Sequence, residues 1–259
     1  MSHTTLTSIS STVLFVGMLV LLEIGRRLGA QRLVADPTHG QDGNGAIEGA
    51  VYALLGLLIA FTFSGAATRF DDRRNLIVQE TNDIGTAYLR IDLLPAAAQP
   101  AIRDLFRRYL DARLDVYRDV ENAEATQAAL AQTTKLQGEI WTQAVAASRS
   151  DGAAPAAPML LLPALNQMFD TASTRLMVTK VHPPAIIFAM LFVIALASAL
   201  FAGYGMGGTK MRNWVHMVGF AAVIAGAVNV IIDLEYPRVG LIRVDTFDQA
   251  LVDLRKSMN

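Results

Sequence analysis

Four stretches of the chain carry no Asp, Glu, Lys or Arg: residues 4–22, 49–68, 183–209 and 213–232. A bilayer core of ~30 Å needs about 20 mostly apolar residues at 1.5 Å per residue. All four stretches reach or approach that length and predict four transmembrane helices. The first reads as a retained helix rather than a cleaved leader, because residues 1–13 hold no Lys or Arg and no small-x-small site follows Leu22.

The polar positions lie mainly between the second and third stretches and in the tail. Residues 36–45 are turn-rich and predict a loop. The second helix starts near Ala46, and its pattern does not stop at Thr68. It continues through Arg69-Phe70-Asp71-Asp72-Arg73-Arg74 to Leu94, where Pro95 ends it. Unbroken, such a helix is about 73 Å long and extends far beyond the membrane. A further helix starts at Pro100, a favoured first-turn position for proline. There Ile102, Leu105, Phe106, Tyr109, Leu110, Leu114 and Tyr117 recur at helical spacing among arginines and aspartates. Helical character continues to Ala147, 150–158 is an Ala/Pro linker, and another helix covers 163–181.

His182-Pro183-Pro184 breaks the chain before the third membrane helix, 184–204. Glycines over 203–208 turn it into the fourth, 213–233. The tail predicts a short helix capped by Asp245, with Phe247, Leu251 and Leu254 on one face. The expected architecture is all-α. It comprises two membrane helices (1–69), an inserted helical extramembrane domain (70–182), two further membrane helices (183–233) and a tail (234–259).

Composition removes several classes of function. The chain has no Cys, which excludes thiol catalysis and Cys-based metal sites. Its formal net charge is −1, so no basic field points to nucleic acid. Histidines at 3, 39, 182 and 216 are not at metal-ligand spacing. No phosphate-binding loop or nucleophile elbow appears. Neither enzyme activity nor a cofactor or metal is expected.

Three groups of residues, and Glu48 on its own, remain as candidates. Gly49, Ala53, Gly56, Ala60 and Ser64 form a small-residue stripe that lets membrane helices approach closely; it reads as a packing face or as a pore lining. Beside it, Leu55, Ile59, Phe63 and Ala67 recur at intervals of four. They are ordinary lipid-facing or core residues, or a hydrophobic constriction if copies of the helix surround an axis. Asn229 and Asp233 lie one turn apart near the end of the fourth helix, where polar groups are costly and need partners. Arg243 is the first choice of partner for Asp233; solvation at the helix end is the other reading. Glu48, at the start of the second membrane helix, is a candidate pore-mouth or selectivity residue. Glu23, near the end of the first, has Arg26 and Arg27 at pairing distance along its own helix.

Two segments carry a resemblance to a known family. One is Glu48-Gly49-Ala50-Val51-Tyr52-Ala53-Leu54-Leu55-Gly56 running on through Ile59-Ala60-Phe61-Thr62-Phe63-Ser64-Gly65-Ala66 to Arg69-Phe70-Asp71-Asp72-Arg73-Arg74 and Asn82-Asp83-Ile84-Gly85-Thr86-Ala87-Tyr88-Leu89-Arg90. The other is Asp233-Leu234-Glu235-Tyr236-Pro237-Arg238-Val239-Gly240-Leu241-Ile242-Arg243-Val244-Asp245. In these and in its four-helix layout the chain resembles the bestrophin-like domain family of bacterial membrane proteins, distantly similar to the bestrophin anion channels.

The resemblance implies a homo-oligomer, pentameric in bestrophins, that conducts inorganic ions, anions in particular, across the bacterial inner membrane. It implies a cytoplasmic domain and cytoplasmic termini. It also implies a pore neck of bulky residues on the second helix, matched by Ile59 and Phe63; Ala67, at the next position, departs by being small. No counterpart of the acidic calcium clasp of eukaryotic bestrophins is identified. The alternative function is a non-conducting membrane scaffold or stress sensor whose domain binds a partner through an exposed patch on 98–148.

Overall fold

The computed structural model describes residues 3–35, 44–118, 120–208 and 213–258. The expected loop falls mostly on 36–43, outside the described residues, as do His39, Lys210 and Arg212. All regular structure among the described residues is helical. The elements are α1 (His3–Ala35), α2 (Asn44–Leu89), α3 (Gln99–Arg118), α4 (Ala123–Ser148), α5 (Ala157–Val178), α6 (Ala185–Gly205), α7 (Trp214–Glu235) and α8 (Asp245–Ser257). Short 3-10 turns follow α2 (Arg90–Leu93) and α6 (Met206–Gly208). Four helices, α1, α2, α6 and α7, are long and apolar enough to cross a membrane.

The chain divides into two compact units: residues 1–70 with 182–242, and residues 71–181 with 243–259. The 46-residue α2 contributes its first part to one unit and its second part to the other. The tail is divided too, at Ile242.

In the first unit α1 lies along α6 and α7. Glycines set how closely α1 and α6 meet. A β-carbon on Gly203 would run into the Leu22 carbonyl oxygen, and one on Gly25 into that of Leu200. Such small-residue crossings replace the hydrophobic drive that is missing between helices in lipid. Leu14, Met18, Leu22, Leu191, Ala195, Ala199, Met217, Ala221 and Val228 form the core. Glu23 pairs with Arg26 and Arg27 at 3.0 and 2.7 Å.

In the second unit the amphipathic α3 buries Ile102, Leu105, Phe106, Tyr109 and Leu110. Asn122 starts a new helix at Ala123 by accepting from the Ala125 N–H at 3.1 Å. Helix α5 begins about six residues before the expected start, with Pro158 in its first turn and Pro163 inside. Helix α8 packs Leu251 into the core, with Leu254 partly buried beside it. Asp245 does not cap α8: the cap position is Val244 and no side chain makes the capping bond.

Candidate functional site

The apolar window of α2 is the least covered of the four. Only 6% of it is buried within the chain, against 28% for α1, 22% for α6 and 28% for α7. Gly49, Ala53, Gly56, Ala60 and Ser64 are all exposed. A β-carbon on Gly49 or Gly56 would meet nothing within 4 Å. Steps of four, three, four and four keep these residues on one strip of a helix with 3.6 residues per turn. Within a single chain, then, the stripe stays exposed.

The interval-of-four set does not stay together. Each step of four overshoots a full turn by about 40°, so the set winds around the helix. Leu55 is buried in the core, Ile59 packs half-buried against it, and Phe63 is exposed by 46%. Ala67 is half-buried. Ile59 and Phe63 therefore differ in burial within the subunit. Glu48 is half-buried, and a β-carbon on Gly205 of α6 would sit 3.5 Å from its Oε2.

The end of α7 is organised by two carboxylates. Asp233 accepts from the Leu241 and Ile242 backbone N–H groups at 2.9 and 2.7 Å. It folds the following loop back onto the helix end. A β-carbon on Gly240 would collide with this carboxylate. The expected pairing with Arg243 is not made. Arg243 has a side chain 56% exposed and is ion-paired with its near neighbour Asp245. Two backbone donors already satisfy Asp233, so no cation is required. Asn229 is half-buried and accepts from the Ser11 hydroxyl on α1 at 2.9 Å.

Glu235, 1% exposed, holds Arg69 through Nε at 2.9 and 3.1 Å and through Nη2. His182 stands 3.7 Å from the same carboxylate and stacks on Tyr236 with ring centres 4.7 Å apart. Sequence reading missed this pair because the two residues are 166 positions apart and no local pattern ties them together.

The second unit buries a charge network of its own. Glu80 accepts from Arg113 Nε at 2.5 Å and from Arg175 Nη1 at 2.6 Å, and Arg175 also reaches Asp248 at 2.6 Å. Both guanidinium groups lie on Tyr117, 5.3 and 4.0 Å from its ring centre. Burial opposes the charge on Arg113. The Glu80 carboxylate and Tyr117 outweigh it and hold the guanidinium pKa above its ordinary value. Burial also pushes the Tyr109 hydroxyl well up. A usable signal existed here. Glu80 sits in register with Ile77, Ile84, Ala87 and Ile91, a three-four repeat of buried positions. Arg113 and Arg175 hold the same kind of core position in α3 and α5.

Among the described residues no group of three or more His, Asp or Glu is placed to hold a metal ion.

With this geometry in place, a family model described as the Bestrophin-like domain matches residues 12–247. The chain belongs to the bestrophin-like domain family. This bestrophin-like membrane protein is similar in fold to a solved bacterial bestrophin homologue from Klebsiella pneumoniae, a tyrosine-to-alanine mutant. The TM-score is 0.69 at 13% identity, over 92% of this chain and 98% of that one. No curated protein matches the chain.

Proposed function

We propose that this bestrophin-like protein assembles from copies of itself around an axis lined by α2 and conducts ions along that axis, with anions as the expected class. The observation that carries the reading is the uncovered α2 face. A membrane helix that buries 6% of its apolar window in its own subunit has the rest available for lipid and for other copies. A continuous strip of small residues is the surface that close helix packing uses.

In such an assembly Phe63, exposed on the same helix, is the residue for a narrow ring. A ring of bulky apolar side chains sheds water, and an ion crossing it loses hydration without replacement ligands. The role needs no chemical step. The alternative, a scaffold whose domain binds a partner, looks to an exposed patch on 98–148, where residues 121–125, 127–128 and 131–132 are exposed.

The test is ion flux into liposomes holding the purified protein, against protein-free liposomes. Wild type should exceed the control, and Phe63→Ala should raise flux several-fold further by wetting the ring. Wild-type flux equal to the control, from intact oligomers, would remove the conduction reading.

A further inference from the structure

The first unit contains a groove that packing within the chain does not fill. It has a volume of about 280 Å³ and lies between α2, α6 and α7. Its walls are apolar: Leu58 and Phe61 from α2, Ile187, Phe188 and Met190 from α6, and Ile231 from α7. The hydroxyl of Thr62, also on the wall, is spent on the Leu58 and Ile59 carbonyls at 2.7 and 3.0 Å.

One end is polar. Arg69 and Glu235 close it, beside Pro183. Arg69 is the first charged residue after the uncharged stretch 49–68, and Glu235 ends α7. The polar end is therefore at the edge of the apolar layer.

The guanidinium is not fully used. Its bonds to Glu235 come from Nε and Nη2. Nη1 makes no hydrogen bond among the described residues. Gly65 leaves that edge uncovered: a β-carbon there would sit 3.2 Å from Nη1. Glu235 neutralises the pair overall, but it holds the guanidinium by Nε and Nη2, so the Nη1 edge is the positive end of the pair.

We propose that this groove binds one phospholipid per subunit, with an acyl chain along Leu58, Phe61, Phe188 and Ile231 and the phosphate on Arg69 Nη1. An apolar slot at membrane depth excludes a soluble polar ligand, while an interfacial guanidinium donates charge-assisted bonds to phosphate. Acyl chain and phosphate joined in one molecule meet both ends of the site. The proposal depends on membrane insertion and not on conduction, so it stands or falls separately from the ion-flux result.

The experiment uses the full chain, reconstituted with dioleoylphosphatidylglycerol, re-extracted in mild detergent and weighed by native mass spectrometry. Wild type should retain one lipid per subunit. Met190→Trp puts bulk at the groove mouth on a side chain already 44% exposed, so the fold tolerates it, and should cut retention at least tenfold. Val193→Trp, on a 64% exposed α6 position outside the groove, should leave retention unchanged. Arg69→Lys keeps a cation for Glu235 but loses the second N–H edge and should lower retention several-fold.

Equal retention in wild type and Met190→Trp, or no retained lipid in wild type, would overturn the proposal. A photo-crosslinking benzophenone side chain at position 190 supplies the second readout. Adducts to lipid support the assignment, whereas adducts joining two subunits would give the groove to a second copy.

Discussion

At the scale of single residues, the bonds around Asp233 and Glu80 make opposite kinds of claim. Asp233 holds two backbone donors that nothing else satisfies, so Asp233→Ala should cost about 1–3 kcal/mol. Arg243, paired with Asp245 and more than half exposed, should cost under ~1 kcal/mol as Arg243→Ala. The double variant should show the plain sum of the two losses, because the residues share no bond. Gly240→Ala should be as damaging as Asp233→Ala, since its new methyl takes the space of the carboxylate. Thermal unfolding of the purified proteins reads all four. Glu80→Gln removes the carboxylate that two buried guanidiniums share, and should cost about 3–5 kcal/mol in the same assay. Asp233 was legible as a buried acid needing a partner. Its partner was not, because backbone donors eight and nine residues ahead leave no side-chain signature.

At the scale of elements, two helices use small residues for different ends, and the difference can be measured. The glycines of α1 and α6 make a crossing inside the subunit. Gly203→Ala should therefore prevent the subunit itself from folding, seen as lost helical signal and poor yield. Gly56→Leu or Ala60→Leu should leave the subunit folded, because a β-carbon on Gly56 meets nothing within 4 Å and Ala60 is exposed, yet should reduce the assembled mass seen by light scattering. Wild-type mass in both variants would return that face to lipid. Ile59→Ala belongs to the first kind, with a loss of about 2 kcal/mol from its packing on the core. Helix identity and order were legible because apolar runs and proline breaks are local signals. The direction each face of α2 takes was not: its window is apolar all round, so periodicity cannot mark which side meets protein. The drift of about 40° per four residues then separates Ile59 from Phe63.

At the scale of the whole molecule, the absence of Cys makes topology simple to test. Ser150→Cys places a thiol on an exposed turn of the second unit. With that unit in the cytosol, an impermeant maleimide should leave intact spheroplasts unlabelled and react once the membrane is opened; labelling of intact spheroplasts would reverse the orientation. The apolar windows announced a membrane protein with an inserted polar region. That the region is completed by residues from beyond the fourth apolar helix was less visible. Leu251 and Asp248 have no sequence mark tying them to α3 and α5, only their place on a short amphipathic helix. This discontinuity constrains synthesis. When a ribosome has released α3, α4 and α5, their core still lacks Leu251, and Arg175 lacks Asp248. The gap persists while α6 and α7, both long and apolar enough to cross a membrane, are made. A nascent chain halted after α7 would thus present an unfinished core to chaperones and proteases, so that completion of the second unit reports that all four long apolar helices have already been made.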